Sequence, residues 1–182
     1  MARRPGVRLA LLRSINVGGH HKLPMRALRQ IFERAGCSSV RSYIQSGNVV
    51  YRAPARVART LAREVSAAVQ EEFGFSVPIV TRTWAEMQVI GAASPFPEAE
   101  QDRLVHIAFL ADRPQPGVTL DPERSPGDRF ILRDREVCLH CPNGVHKSKF
   151  SNAYLERTLG STCTMRNWRT VEKLVEMMRT LP

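Results

Sequence analysis

The sequence predicts an α+β protein made of two halves with similar element patterns. Three observations predict this class. Hydrophobic residues make up 43% of the 182 positions, which is enough to form a core. Short β-branched and aromatic runs alternate with apolar stripes of helical period. The succession of elements in residues 1–82 returns in looser form in residues 83–182, and a serine and two prolines in segment 92–97 interrupt the chain between them.

Each element of the first half has its own signal. Pro24 suits the first position of a helix, and Gly36 and Gly74 suit helix ends. The predicted elements are a strand at 7–15, a helix from 24 to 36, a hairpin of 40–44 and 48–51, a helix from 57 to about 74 and a strand at 76–80. The order β-α-β-β-α-β is the split βαβ, or ferredoxin-like, pattern.

The second half repeats this order loosely. After a short helix at 84–90, the predicted elements are a strand at 104–110, an irregular helical turn within 114–126, a hairpin of 129–132 and 136–140, a helix at 150–159, an edge strand at 161–165 and a helix at 168–178. We therefore expect two ferredoxin-like halves, at residues 1–82 and 83–182, with an extra C-terminal helix.

The composition limits the class of protein. No run approaches the 18 apolar residues of a membrane span, and Arg3-Arg4 precedes a strand pattern rather than a cleavage signal. We expect a cytoplasmic protein without a membrane partner, and the sequence does not indicate its oligomeric state. Four cysteines without a secretory signal argue against a disulfide scaffold, so reduced thiols are expected.

Charge is distributed unevenly along the chain. Residues 1–82 hold 14 Lys and Arg against 4 Asp and Glu, whereas residues 83–182 hold 13 against 13. The whole formal charge of +10 therefore belongs to the first half, which favours an anionic partner such as nucleic acid or a phosphorylated small molecule. Arginine accounts for 23 of the 27 basic residues, so a GC-rich genome and a solvated basic surface are the alternative explanation.

The stretch 9–24 combines an apolar run, Gly18-Gly19 and a basic turn. Glycines allow backbone N–H groups to approach a ligand, and polar groups at a strand end are a common place for anions. The spacing matches neither GxxxxGK[ST] nor GxGxxG, so a tight turn without a ligand is the alternative.

Candidate anion-binding residues come from two places in the first half. Arg13, Asn16 and Lys22 follow the first strand, and Ser46 and Asn48 lie at the predicted hairpin turn. In a ferredoxin-like half the first and third strands are neighbours, so the two groups are predicted to share a polar cleft. Arginine and lysine would hold a phosphate or carboxylate there. The alternative is that the 45–48 run forms local turn hydrogen bonds.

Two further candidates lie in the second half. Lys149 precedes a predicted helix whose N-terminus would favour an anion, although Ser148 or Ser151 could simply cap that helix. Arg166 is the candidate for a ligand or partner contact beside the last helix, for which Asn167 is a plausible N-cap.

The spacing of Cys138 and Cys141 is CxxC, but in a strand the two side chains face opposite sides, which is poor geometry for zinc or a redox pair. His20 and His21 have no acid or nucleophile paired with them by spacing. We expect no metal and no cofactor, and the sequence identifies no catalytic residue.

Four stretches carry a resemblance to a known family: Leu-Arg-Ser-Ile-Asn-Val-Gly-Gly-His at 12–20 with Lys22 and Pro24-Met25, Tyr-Ile-Gln-Ser-Gly-Asn-Val-Val at 43–50, Ser-Lys at 148–149 and Thr-Met-Arg-Asn-Trp at 164–168 with Lys173. They resemble the bacterial domain of unknown function family numbered 1697, over about residues 7–179. The resemblance implies an α+β protein with two ferredoxin-like halves, and it implies no activity. Ser14 departs from the pattern, in which glycine is usual, and His146-Lys147 replaces a more usual Gly-Arg.

The leading functional hypothesis is a binding protein whose basic N-terminal half recognises an anionic partner, with nucleic acid ahead of a phosphorylated metabolite. The alternative is an enzyme of unknown reaction acting on a small anionic substrate in a cleft between the halves. A protein-interaction module using an open sheet edge is a third hypothesis. A base-stacking sheet surface is not favoured, because Tyr43 and Tyr51 are the only aromatics on the first three predicted strands.

Overall fold

The computed structural model describes residues 6–99 and 101–182. Backbone contacts group the chain into two compact units, and each is a mixed α+β unit with one four-stranded antiparallel sheet. The first unit runs to Ile90 and includes Leu174–Pro182, and the second is Gly91–Lys173. Contacts do not test which segments fold alone, so the predicted domains at 1–82 and 83–182 stay predictions.

The first unit follows the predicted order of elements. Its elements are β1 (Gly6–Leu12), α1 (Met25–Arg34), β2 (Ser38–Tyr43), β3 (Asn48–Ala53), α2 (Ala55–Phe73), β4 (Ile79–Thr83) and α3 (Trp84–Ile90). The strand order is β2-β3-β1-β4, so β1 and β3 are central neighbours, as predicted. This pairing brings the end of β1 to the turn between β2 and β3.

Helices α1 and α2 cover one face of this sheet. Their apolar stripes bury side chains such as Leu28, Phe32 and Val65 against alternate residues of β1 and β3, including Ala10 and Tyr51. Every second side chain of a strand points to the face that the helices cover. Burial of these apolar side chains is the main favourable contribution to the stability of this core. The predicted stripes of both helices are confirmed.

Two strand boundaries differ from the prediction. β1 ends at Leu12 rather than at residue 15, because Ser14 adopts φ 55°, outside the β region. β4 covers Ile79–Thr83 rather than 76–80. Pro78 has no N–H to donate to β1, and its carbonyl instead accepts the N–H of Arg13 at 3.0 Å.

The second unit repeats the sheet but not every helix. Its elements are β5 (Val105–Leu110), β6 (Arg129–Leu132), β7 (Glu136–His140), α4 (Asn152–Leu159), β8 (Cys163–Asn167) and the start of α5 (Trp168–Arg179), with 3₁₀ turns at Asp102–Leu104 and Pro122–Arg124. The order β6-β7-β5-β8 makes β8 an edge strand, as predicted. The described residues between β5 and β6 contain the predicted helical turn and no α-helix.

No helix in residues 6–99 and 101–182 combines the length and the apolar character needed to cross a membrane.

Candidate functional site

The loop between β1 and α1, residues 13–24, has an unusual backbone. Among its residues, Ser14, Asn16, Gly18, Gly19 and His21 all have φ between 49° and 79°. Left-handed conformations are costly for residues other than glycine, so this loop needs contacts that stabilise it. Part of that stabilisation is a small internal bridge, in which the His20 N–H donates to the Val17 carbonyl at 3.1 Å.

Asn16 connects this loop to the start of α1 and to the turn after β2. Its amide nitrogen donates to the Leu23 carbonyl at 3.0 Å and to the Gln45 carbonyl at 2.9 Å. Its amide oxygen accepts the Leu23 N–H at 2.8 Å. Both hydrogens of the amide group are therefore used within the protein. Asn16 shapes the site and keeps no N–H to donate to a ligand.

The turn between β2 and β3 is fitted closely to the end of β1. The Leu12 N–H donates to the Gly47 carbonyl at 2.8 Å, and Gly47 has φ 76°. A Cβ added to Gly47 would lie 2.6 Å from the Leu12 Cβ. Asn48 is 0% exposed, and its amide nitrogen donates to the Tyr43 carbonyl and to the Ser46 hydroxyl. These contacts favour the turn-forming interpretation of Ser46 and Asn48.

A cavity of about 560 Å³ lies between the 13–24 loop, the start of α1 and the turn between β2 and β3. This size is typical of a small-molecule site. Its lining residues are Asn16, Gly19, Lys22, Leu23, Pro24, Met25 and Gln45. Lys22 is the only charged side chain among these seven residues, and it is exposed. A Cβ added to Gly19 would meet nothing within 4 Å, so a ligand can approach this backbone closely.

The structure brings together only part of the predicted first-half site. Asn16 and Lys22 line the cavity with Gln45, which lies in the predicted 45–48 run. Arg13 is not among the lining residues, and its backbone N–H pairs with Pro78, beside β4. Sequence reasoning did not single out the apolar lining from Leu23 to Met25, because it matches the start of an ordinary amphipathic helix.

His21 stabilises the 13–24 loop through contacts with Phe75 and Ser14. Its ring stacks on Phe75, with centroids 4.6 Å apart and planes 16° apart, and its Nδ1 lies 3.2 Å from the Ser14 carbonyl oxygen. These contacts give His21 a structural role and explain why the loop can hold several left-handed residues.

A family model described as a protein of unknown function, DUF1697, matches residues 7–137. The chain belongs to the DUF1697 family. Its structure is similar to that of the conserved bacterial protein SP0830 from Streptococcus pneumoniae, with a TM-score of 0.67 and 18% sequence identity, over 95% of this chain and 98% of that one. Curated proteins gave no match. The comparisons support the α+β fold and give no activity.

In the second unit of this DUF1697 chain, Lys149 lies just before α4. Its N–H donates to the Ser125 hydroxyl at 3.1 Å, and its side chain is exposed. Ser151 caps α4 by accepting the Tyr154 N–H, so the predicted capping role of Ser151 is confirmed. Asn167 likewise accepts the Thr170 N–H at 2.9 Å at the start of α5.

Arg166 lies on β8, and its surroundings are well defined. Its Nη1 donates to the Thr164 hydroxyl and to the Met165 carbonyl, each at 2.8 Å. Burial lowers the pKa of Arg166 to about 10, since desolvation disfavours the charged form. The guanidinium still carries its charge at neutral pH.

The two units of this family member end their last strand in the same way. Arg82 on β4 donates from Nη1 to the carbonyl of the preceding residue at 2.8 Å, as Arg166 does on β8. A tryptophan begins the next helix in both cases, Trp84 and Trp168. Sequence reasoning missed Arg82, although the repeated Arg-x-Trp spacing was visible. The repetition indicates that both arginines belong to the shared architecture of the units.

The cysteines of the chain are poorly suited to nucleophilic or redox chemistry. All four are buried, and burial raises the pKa of Cys37 to about 12 and of Cys138 and Cys141 to about 11. The reactive thiolate is therefore disfavoured. Within residues 6–99 and 101–182, no three His, Cys, Asp or Glu side chains are grouped to hold a metal ion.

A row of arginines lies on the exposed side of α2. Arg56, Arg59 and Arg63 follow i, i+3, i+7 spacing and are all exposed. Residues at this spacing share one face of a helix. The row is a second cationic feature of the first unit, separate from the cavity lining.

Proposed function

We propose that this protein binds an anionic partner through its first unit, and that the cavity beside the 13–24 loop receives a small anion. The observation that supports the proposal best is the cavity itself, with Lys22 as the only charged residue among the seven described lining residues and the open backbone of Gly19 beside it. Exposed glycine backbone and a lysine are suited to an oxyanion. The excess positive charge of residues 1–82 would attract such a ligand.

The proposal is tested by titrating ¹⁵N-labelled protein with inorganic phosphate and, in parallel, with sodium chloride at equal ionic strength. We expect phosphate-specific, saturable shifts of the Gly19 and Lys22 amide signals. Lys22→Gln should weaken this binding by at least about tenfold, the scale of one charge-assisted contact.

Arg26→Gln is the matched control, because Arg26 is an exposed cation on α1 that does not line the cavity. Its phosphate titration should follow that of the unchanged protein. Shifts spread over the basic surface, or equal effects of the two substitutions, would contradict binding in the cavity.

Nucleic acid is the second candidate partner, and the arginine row on α2 favours it. A base-stacking mode on the sheet is not supported, because Tyr51 is fully buried beneath α1. Any contact would therefore be made to phosphates by exposed arginines such as Arg56, Arg59 and Arg63.

The nucleic-acid candidate is tested by fluorescence anisotropy with a single-stranded 20-mer across a salt series. Replacing Arg56, Arg59 and Arg63 by Gln should reduce the slope of log K against log salt by about 2, since each single-strand phosphate contact contributes about 0.7. The control replaces the exposed Arg133, Arg157 and Arg169 of the second unit, which removes the same charge. Equal loss in both variants would indicate only a net-charge effect.

An enzyme acting on a small anionic substrate in a cleft between the two halves is the alternative function. In the cavity of the first unit, the seven lining residues include one amine, that of Lys22, and no carboxylate, imidazole or thiol for proton transfer or nucleophilic attack. The cavity thus supports binding more strongly than catalysis.

We also propose that the first unit is ferredoxin-like. Its order of β-α-β-β-α-β elements, its antiparallel pairing and the strand order β2-β3-β1-β4 support this assignment. The second unit has the equivalent strand order β6-β7-β5-β8, with a 3₁₀ turn rather than an α-helix between β5 and β6.

A further inference from the structure

We infer that the cavity selects a phosphate monoester carried on a compact apolar body, rather than a bare anion, a carboxylate or a polyphosphate. This inference rests on the proposed anion-binding function of the same cavity, and it names the class of ligand.

The apolar part of the ligand is inferred from one side of the lining. Leu23, Pro24 and Met25 are consecutive, and they give the cavity a continuous hydrocarbon wall where the loop meets α1. Leu23 is only 1% exposed and its backbone is held by Asn16, so it fixes the position of the wall, and Pro24 and Met25 provide the surface that a ligand can contact. Met25 is half-buried at its edge, and a methionine side chain adapts to ligands of different shape. An inorganic anion has no apolar group to pack against this wall.

The single phosphate group of the ligand is inferred from the polar side of the lining. Lys22 is the one cation among the seven lining residues in the described part of the chain, and polyphosphates are usually held by more positive charge or a metal ion. Lysine binds phosphate as a compact point charge, and the planar fork of arginine, which holds carboxylates through two hydrogen bonds, is absent from the seven lining residues. Neither Arg13, in the 13–24 loop, nor Arg26, next to Met25, is among these seven lining residues.

The two sides define an orientation for the ligand. The phosphate would lie against Lys22 and the open Gly19 backbone, and the apolar body would lie along Pro24 and Met25. Asn16 cannot donate to the ligand, because Leu23 and Gln45 accept both of its amide hydrogens. The exposed side chain of Gln45 is left to form one hydrogen bond at the rim.

The test compares four probes, phenyl phosphate, inorganic phosphate, benzoate and pyrophosphate, using the Gly19 and Lys22 amide shifts as a local readout. Phenyl phosphate should bind about tenfold more tightly than inorganic phosphate, because burying roughly 60 Å² of its ring contributes on that scale. Benzoate and pyrophosphate should each bind more weakly than phenyl phosphate. Equal affinity for the two phosphates, or tighter binding of benzoate or pyrophosphate, would overturn the inference while leaving anion binding intact.

Two substitutions test the contact with the phosphate and the contact with the apolar group separately. Lys22→Gln should weaken both phosphates, whereas Met25→Gln should weaken phenyl phosphate by about threefold to tenfold and leave inorganic phosphate unchanged. Circular dichroism and the thermal midpoint report whether the Met25 variant is folded. If it is not, the comparison of probes on the unchanged protein still decides the inference. Failure of all four probes to shift the Gly19 and Lys22 signals would instead overturn the proposed function.

Discussion

Gly47 and Asn16 hold the end of β1 against the turn that joins β2 to β3. Gly47 provides a left-handed backbone and space for Leu12 and Ile15, while Asn16 links three backbone segments through its side chain. Both residues act by geometry, because one lacks a side chain and the other has both amide hydrogens satisfied. Together they hold in place the loop and the turn that flank the cavity.

Gly47→Ala should destabilise the protein by about 3 kcal/mol, measured by urea unfolding. The new Cβ would lie 2.6 Å from the Leu12 Cβ, in addition to the cost of φ 76° for alanine. Gly74→Ala is the matched control, since Gly74 has φ 80° and nothing within 4 Å of an added Cβ. It should cost only about 1 kcal/mol. Equal costs would show that strain alone, and not contact with Leu12, requires glycine at 47.

Asn16→Asp should destabilise the protein by about 2 kcal/mol. Aspartate retains the acceptor for the Leu23 N–H and tolerates φ 55°, but it places a carboxylate oxygen against the carbonyls of Leu23 and Gln45. Denaturant unfolding at pH 7 measures the change. Asn143→Asp, at an exposed turn position, should alter stability by less than about 0.5 kcal/mol. A comparable loss in both variants would assign the effect to charge alone.

Ser14→Gly should stabilise the protein by about 0.5 kcal/mol. Ser14 is exposed and has φ 55°, a conformation that glycine adopts without strain, and the gain exceeds the added entropy of the unfolded chain. Ser76→Gly, at an exposed position without a positive φ, should be destabilising instead. A thermal midpoint that falls for Ser14→Gly would contradict this reading of the loop.

At the scale of elements, helices were easier to predict than strand ends. The stripes of α1, α2 and α5 are local patterns of period 3.6, and the structure confirms these helices. The ends of β1 and β4 depend on pairing between distant residues. β4 begins at Ile79, directly after Pro78, and pairs with β1 from Leu12 back to Arg8. The proline is a local signal for this start, whereas the end at Thr83 depends on the pairing with β1.

The central strand β5 carries a buried histidine, His106, which makes the stability of the folded chain depend on pH. His106 is 8% exposed, its Nδ1 has no hydrogen-bond partner in the described part of the chain, and burial lowers its pKa. The unfolded chain therefore binds a proton more readily than the folded chain, so stability falls as the pH drops below about 6.5.

His106→Gln should remove this part of the pH dependence. The difference in urea midpoint between pH 7.5 and pH 5 should be smaller for the variant than for the unchanged protein. Gln115→Ala, at an exposed site without a titrating group in the same unit, should leave the pH dependence as it is. An unchanged pH difference in the His106 variant would show that the buried ring does not titrate with unfolding.

At the scale of the whole molecule, the chain returns to its first sheet after forming the second unit. Residues 174–182 belong to the first unit, where Arg52 on β3 donates to the carbonyls of Leu181 and Pro182. Ser39 donates to the Pro182 carbonyl as well, and Leu181 is buried. The last residues thus stabilise β2 and β3, far away in sequence.

Leu181→Ala should destabilise the first unit by about 2–3 kcal/mol, because it removes a buried side chain. Native-state hydrogen exchange should show faster exchange for amides of β1 and β3, with β5 and β7 as the internal reference. Val89→Ala, at an exposed position of α3 in the same unit, serves as the control. Equal acceleration in both sheets would contradict stabilisation of the first unit by this segment.

The kinds and order of the elements, the uneven charge and the glycines at left-handed turns can all be predicted from the chain, because they follow from local backbone preferences and side-chain period. The set of polar residues that shares the cavity depends on the folded arrangement. Asn16 and Lys22 lie there with Gln45, whereas Arg13 lies outside the lining and Asn48 is buried in the turn. That choice depends on strand register and on satisfying buried hydrogen bonds between segments far apart in the chain, which no local pattern specifies.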